Sequence, residues 1–190
     1  MKKLCVYCGS QPGLRPEYIE AAKALGQFLP SVGISMVYGG GDIGLMGAVA
    51  DAVMAAGGEV IGVIPHHLVA LEVGHRGLTQ LIEVADMHAR KAKMAELSDG
   101  FLALPGGIGT AEELIEMFTW LQLSIHGKPV GILNTLGYYF HLLEFFKHME
   151  TEGFLKGVHR EMLLDDVDAP RLIERMRSFV PVPISKLPLR

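Results

Sequence analysis

Cysteine is scarce in this chain of 190 residues. Only Cys5 and Cys8 occur, too few for a disulfide framework. Their C-x-x-C spacing would suit redox chemistry at a helix start. Both fall instead in the apolar run Lys3–Cys8, which reads as a strand, and strand residues three apart face opposite sides. Two buried strand cysteines are expected. A dominant charge sign is also missing: 17 Lys and Arg against 21 Asp and Glu leave a net charge of −4. That balance excludes a general surface for nucleic acid or anionic membrane, so any bound anion needs a local cluster. No apolar run approaches the ~20 residues that span a bilayer, and the stretch after Met1-Lys2-Lys3 is too short for a signal peptide. A cytoplasmic protein is expected, with neither nucleic acid nor membrane as partner. His66, His67, His75 and His88 lack a paired spacing such as H-E-x-x-H, so no metal and no cofactor is expected.

What is present is a folded composition, 49% hydrophobic and 20% charged, arranged as alternating apolar runs and helical periods. Lys3–Cys8, Ile34–Tyr38, Val60–Ile64, Leu81–Val84, Phe101–Leu104 and Val130–Leu133 read as strands, with a short edge strand at Arg160–Leu164. Between them lie a helix opened by Pro16 and closed by Gly33, a small-residue helix to about Ala56, and Met87–Leu97 behind the N-cap Asp86. Thr110–Ser124, Tyr138–Glu150 and Ala169–Phe179 complete the helices. His66–Leu78 shows no period and reads as a long loop. Continuous apolar strands alternating with helices predict a parallel sheet covered on both faces. The expected fold is α/β, a Rossmann-like doubly wound sheet in one three-layer domain over residues 1–180, followed by an extended proline-bearing tail over 181–190.

Ligands of such sheets sit beyond the carboxyl ends of the strands. Three strand ends carry glycine, which admits close backbone approach to an anion. The first is Gly9-Ser10. The second, Gly39-Gly40-Gly41-Asp42-Ile43-Gly44, formally matches a dinucleotide fingerprint, and Met46 follows it in the helix. An acid at the end of the next strand should complete that fingerprint; Ile64-Pro65-His66 stands there instead, which counts against a nicotinamide oxidoreductase. This loop suits helix–strand packing as well as it suits phosphate. The third, Pro105-Gly106-Gly107-Ile108-Gly109-Thr110-Ala111-Glu112-Glu113, has no lysine after its glycines and so is not a triphosphate loop. It suits a single phosphate beside an acid.

Pro105-Gly106-Gly107-x-Gly109-Thr110-x-x-Glu113 resembles the PGGxGTxxE motif of the Lonely Guy family, the cytokinin riboside 5′-monophosphate phosphoribohydrolases. The resemblance extends to Tyr38 through Gly47, to Met87-His88-Ala89-Arg90-Lys91, to Thr119-Trp120-Leu121-Gln122-Leu123 and to His126 through Gly131. It implies a homodimer that cuts a nucleoside 5′-monophosphate between an adenine-type base and ribose 5-phosphate. It implies catalytic roles for Arg90 and Glu113. It implies substrate contacts for Glu72, Lys91, Gly106, Gly107, Ile108, Gly109, Thr110, Ala111, Glu112 and Thr119. A mononucleotide-binding module without catalysis shares the same loops and is the alternative. Many relatives carry a lysine decarboxylase label, but no Schiff-base lysine for pyridoxal phosphate is discernible.

Cleavage of an N-glycosidic bond builds positive charge at the anomeric carbon, which a carboxylate such as Glu113 would stabilise. The same spacing, Thr110-x-x-Glu113, also forms a capping box, and a glutamate reaching back to the cap cannot face a sugar. Arg90 lies in the first turn of its helix, where a cation is disfavoured. It pairs with Asp86 at i, i+4, or it meets a phosphate or the catalytic acid. Pocket width near Met46, Met94 and Trp120 would decide between plain and prenylated adenine, but one sequence does not place those side chains. The helix Thr110–Ser124 is apolar nearly all round, which fits burial between layers or against a second subunit.

Overall fold

A computed structural model describes residues 1–69 and 74–182. Seven parallel strands form one sheet: β1 (Lys3–Tyr7), β2 (Ser35–Tyr38), β3 (Val60–Pro65), β4 (Gln80–Val84), β5 (Gly100–Ala103), β6 (Val130–Leu133) and β7 (Leu163–Asp166). Their order is β4-β3-β2-β1-β5-β6-β7, so the chain reverses its direction of travel between β1 and β5. Cys5 lies beside Val37 on one side and Phe101 on the other. The expected parallel, doubly wound sheet is the fold observed.

Helices α1 (Pro16–Ser31), α2 (Gly44–Ala55) and α8 (Ala169–Arg177) cover one face. The core there contains Leu4, Val6, Cys8, Leu25, Met36, Val49 and Leu172. Helices α4 (Met87–Leu97), α5 (Ile108–Gln122) and α6 (Phe140–Thr151) cover the other, over Cys5, Tyr7, Val37, Met94, Phe101, Met117 and Phe146. Cys5 and Cys8 thus enter opposite core layers as free, buried thiols, as the strand period requires. One-turn helices α3 (His66–Val69) and α7 (Gly157–Arg160) complete the elements.

Several boundaries differ from the sequence expectation, each for a local reason. The segment His66–Leu78 opens with α3 rather than as loop throughout. A turn at Thr135–Gly137 precedes α6, with Leu136 at φ 56°, and delays that helix to Phe140. The final strand is displaced from Arg160–Leu164 to Leu163–Asp166. Its polar end is held because the Asp166 carboxylate accepts from Arg171 and from the Asp168 N–H. The last helix ends at Arg177, two residues early. Of the expected tail, residues 183–190 lie outside the described residues.

Helices α1 and α2 meet with no space to spare. A Cβ on Gly26 would lie 2.6 Å from the Val49 carbonyl oxygen and 2.7 Å from the Ala52 Cβ. Helix propensity alone favours alanine over glycine by about 1 kcal/mol, whereas overpacking costs about 1–3 kcal/mol. Gly26→Ala is therefore expected to destabilise the fold, seen as a lower midpoint in urea unfolding at unchanged slope.

Candidate functional site

At the reversal of strand order, the loops after β1 and β5 meet backbone to backbone. The Gly9 N–H donates to the Pro105 carbonyl at 3.1 Å, and a Cβ on Gly9 would lie 3.3 Å from the Gly106 Cα. Gly106 is confined in turn, since a Cβ there would meet the Thr110 Oγ1 at 2.2 Å. The start of α2 closes against the same seam. The Leu45 N–H donates to the Gly9 carbonyl at 3.0 Å, and Gly44, at φ 61°, leaves no room for a side chain beside Ser10.

A cleft of about 340 Å³ opens beside this seam. Its walls are Cys8, Gly9 and Ser10 after β1, Met46 of α2, Leu68 of α3, Met87 and Arg90 of α4, and the start of α5. Helix α5 begins at Ile108, with Gly107 as its extended N-cap, two residues earlier than its sequence suggests. Thr110 is therefore inside the first turn and not at the cap, so the capping box does not form. Glu113 is free of the helix start and lines the cleft with Gly107, Ile108, Gly109, Thr110 and Glu112. The first N–H groups of a helix have no intrahelical acceptor, and here they lie at the wall of an open cleft.

Arg90 is 6% exposed. It does not pair with Asp86, whose carboxylate accepts the Ala89 N–H at 2.8 Å as a helix cap. Its Nη2 donates instead to the Gly39 carbonyl at 2.9 Å. Its Nη1 lies 3.7 Å from the Met87 sulfur, and its Nε is buried without a partner among the described residues. A buried, incompletely satisfied guanidinium is costly unless an anion completes it. Glu113 supplies part of that charge from the same cleft. Burial pushes the Glu113 carboxyl up to about 7, against the pull of Arg90, with Glu112 and Glu116 adding to the rise and Lys91 opposing it.

Other sequence-predicted residues sit elsewhere. Lys91 does not line the cleft but reaches its edge, donating to Glu112 of the cleft wall at 2.5 Å and to Glu116 at 3.0 Å and so tying α4 to α5. These carboxylates raise its pKa and keep it an ammonium. Ala111 is half-buried outside the cleft wall, and Gly106 faces a neighbouring hollow of about 270 Å³ with Tyr18 and Tyr138. Gly39, Gly40 and Gly41 are buried outside the cleft wall, Gly39 against Arg90 and Gly40 against Ile64 and Leu81. They serve packing and the Arg90 bond, whereas Gly9, Ser10 and Met46 do reach the cleft. Thr119 is exposed, its hydroxyl donating to the Ile115 carbonyl. It lies about 16 Å along α5 from Ile108. Met94 is buried in the core, and Trp120 lines a separate hollow with Phe101 and His126. Glu72 lies outside the described residues. Cys8, Leu68 and Met87 line the cleft without having been predicted to. Only the spacing of Met87 and Arg90 on one helical face signals any of the three.

The Glu113 carboxyl has a clear thermodynamic signature. Its folded-state pKa lies above the ordinary 4.5, so the folded chain binds that proton more tightly, and stability falls as pH rises through the window from 4.5 to about 7. Glu113→Gln removes this dependence. Relative to the parent, the variant is expected to gain about 1–2 kcal/mol between pH 4 and pH 8, less than full linkage because the group is partly solvated. Urea unfolding at the two pH values measures it; an equal difference at both would contradict the assignment.

The model of a family described as possible lysine decarboxylase matches residues 46–176, more than half of the chain. A rice protein (Oryza sativa subsp. japonica), probable cytokinin riboside 5′-monophosphate phosphoribohydrolase LOGL9, is 48% identical over 95% of this chain and 80% of its own length. The Arabidopsis thaliana cytokinin riboside 5′-monophosphate phosphoribohydrolase LOG5 is 48% identical over 95% of this chain and 79% of its own. Among solved structures, the molybdenum cofactor carrier protein of Chlamydomonas reinhardtii superposes with a TM-score of 0.68 at 21% identity, covering 93% of this chain and 96% of that one. The molybdenum cofactor binding protein of Rippkaea orientalis gives 0.68 at 18%, covering 94% and 97%. At such identity these two share the fold. Sequence identity and the ordered glycine, arginine and glutamate blocks together place the chain in the Lonely Guy family of cytokinin riboside 5′-monophosphate phosphoribohydrolases.

Proposed function

We propose that the chain hydrolyses the N-glycosidic bond of nucleoside 5′-monophosphates, AMP and its N6-isoprenoid derivatives, to free base and ribose 5-phosphate. The observation that carries this reading is one cleft joining three things: unsatisfied N–H groups at a helix start, a buried arginine and a carboxyl held near pH 7. The phosphate is received at Gly107, Ile108, Gly109 and Thr110, where N–H groups and the helix dipole favour an anion. The base extends toward Met46, Leu68 and Met87, the apolar end of the cleft.

Glu113 faces the anomeric carbon. As the bond to the base nitrogen breaks, its electron pair leaves with the base and positive charge builds on the sugar. The Glu113 carboxylate stabilises that charge and accepts a proton from the water that adds to the carbon. The departing base takes up one proton from solvent and Glu113 returns its own to solvent, so that one water is consumed per turnover. Arg90, held by Gly39, positions Glu113 and keeps part of its population ionised. Decarboxylation through a Schiff base suits the site poorly, because it needs a neutral amine, and Lys91 is held charged by two carboxylates. The two free thiols fit a reducing compartment, the cytoplasm.

The chain acts as a homodimer in this reading. Ile115, Leu123 and Ile125 are exposed at 39%, 55% and 62% along and just beyond α5, a face that a two-fold contact would cover. Thr119 lies on that helix too remote from its own cleft for a substrate contact, so such a contact would come from a partner. Light scattering is expected to give about twice 20.7 kDa; monomer mass at all concentrations would refute the dimer.

Incubation with AMP and with isopentenyladenosine monophosphate is expected to release base and ribose 5-phosphate. kcat/KM should rise with pH to a plateau above about 7, because Glu113 acts ionised. Glu113→Ala should lose about 10²–10⁴-fold in kcat with its fold intact. Intact nucleotide recovered by chromatography would overturn the reading.

A further inference from the structure

The carbonyl that anchors Arg90 belongs to a loop with little substance of its own. Gly39, Gly40 and Gly41 follow one another, and Gly40 stands at φ 80°. Such backbone does not hold its shape without external ties. There is also no slack in the anchor, since the position of a Cβ on Gly39 lies 1.9 Å from the Arg90 Nη2. The bond is 2.9 Å long, so displacement of the loop by about an ångström would either break it or drive Arg90 from its seat.

The ties come from the segment beginning at Gly74. The His75 N–H donates to the Gly40 carbonyl at 3.0 Å, and Gly74 pairs with Gly41 in an antiparallel bridge. The His75 ring is engaged at both nitrogens. The Gly77 N–H donates to Nδ1 at 3.2 Å, which puts the ring proton on Nε2. Nε2 then donates to the Asp51 Oδ1 at 3.0 Å, on α2. The imidazole is 11% exposed, too enclosed to reorient freely. An unbroken series of bonds thus leads from Asp51 through His75 to Gly40, and the adjacent carbonyl of Gly39 receives Arg90.

We propose that His75 is a positioning residue for Arg90: held between Asp51 and Gly77, it clamps the triple-glycine loop whose Gly39 carbonyl seats the guanidinium. It touches no substrate. Its consequence for turnover rests on the hydrolase reading above, whereas its consequence for the Arg90 seat does not. A histidine in an aperiodic loop, marked in the sequence only by its lack of a metal-ligand spacing, then controls the site from behind.

The test uses the full chain with AMP as substrate. His75→Ala is expected to lower kcat by about 5- to 20-fold with KM within about twofold, and His75→Gln, which keeps a donor for Asp51, to recover most of the loss. In an Arg90→Lys background the same His75→Ala change should cost less than about twofold, because the residue it positions is already gone. In the ligand-free protein, exchange of the Arg90 Nε–H with water, followed by ¹⁵N NMR, should accelerate by about fivefold or more in His75→Ala. Equal losses in both backgrounds would reduce His75 to a general stability role and overturn the proposal. So would unchanged turnover, or unchanged exchange. If the parent chain leaves AMP intact, the hydrolase reading fails by itself, and the exchange rate alone decides whether His75 seats Arg90.

Discussion

The approach of backbone to backbone between Gly9 and Gly106 is the constraint on which the rest depends. It brings the ends of β1 and β5 together where the sheet reverses its winding, and it leaves the start of α5 facing a cleft rather than a neighbouring side chain. Any larger residue at Gly9 or Gly106 would force the two loops apart. Glycine here is a matter of distance rather than of unusual dihedral angles.

From that seam follow the electrostatics. Arg90 reaches the cleft from α4 but is itself 6% exposed, so solvent screens it less than it would a surface guanidinium. Its single good acceptor, the Gly39 carbonyl, is neutral. The guanidinium therefore remains a source of positive potential beside Glu113, which burial has pushed toward protonation. Each group is poorly settled alone, and each is better settled by the other. Lys91, one residue on, spends its charge on Glu112 and Glu116 and so keeps α4 and α5 in register.

Much of this was legible in the sequence, because the parallel sheet announces itself through continuous apolar strands and the third glycine loop through its acids. Arg90 and Glu113, which line one cleft, were singled out because their residue types fit the chemistry and because the family motif carries them. The capping reading of Thr110 and Glu113 failed for a reason spacing cannot reveal: Gly107 takes extended backbone and starts the helix earlier. The Gly39 to Gly41 loop shows the opposite limit. Its spacing suits an anion and packing equally, and only the fold shows Gly39 and Gly40 set against Arg90, Ile64 and Leu81. Long-range partners such as His75 and Gly40 leave no periodic trace in the chain. Leu68 and Met87 likewise reach the cleft only because α3 and α4 fold over it.

The tight contact of Gly26 with α2 also governs where the molecule can yield. Helices α1 and α2 are interlocked at van der Waals distance and must travel as a unit, which makes that side of the sheet a rigid abutment. On the opposite bank, Gly107 and Gly109 have nothing within 4 Å of where their side chains would be, and Ile108 between them is 88% exposed. That short rim has open space around it, so among the described residues the cleft pairs a wall with room to give against one that is fixed.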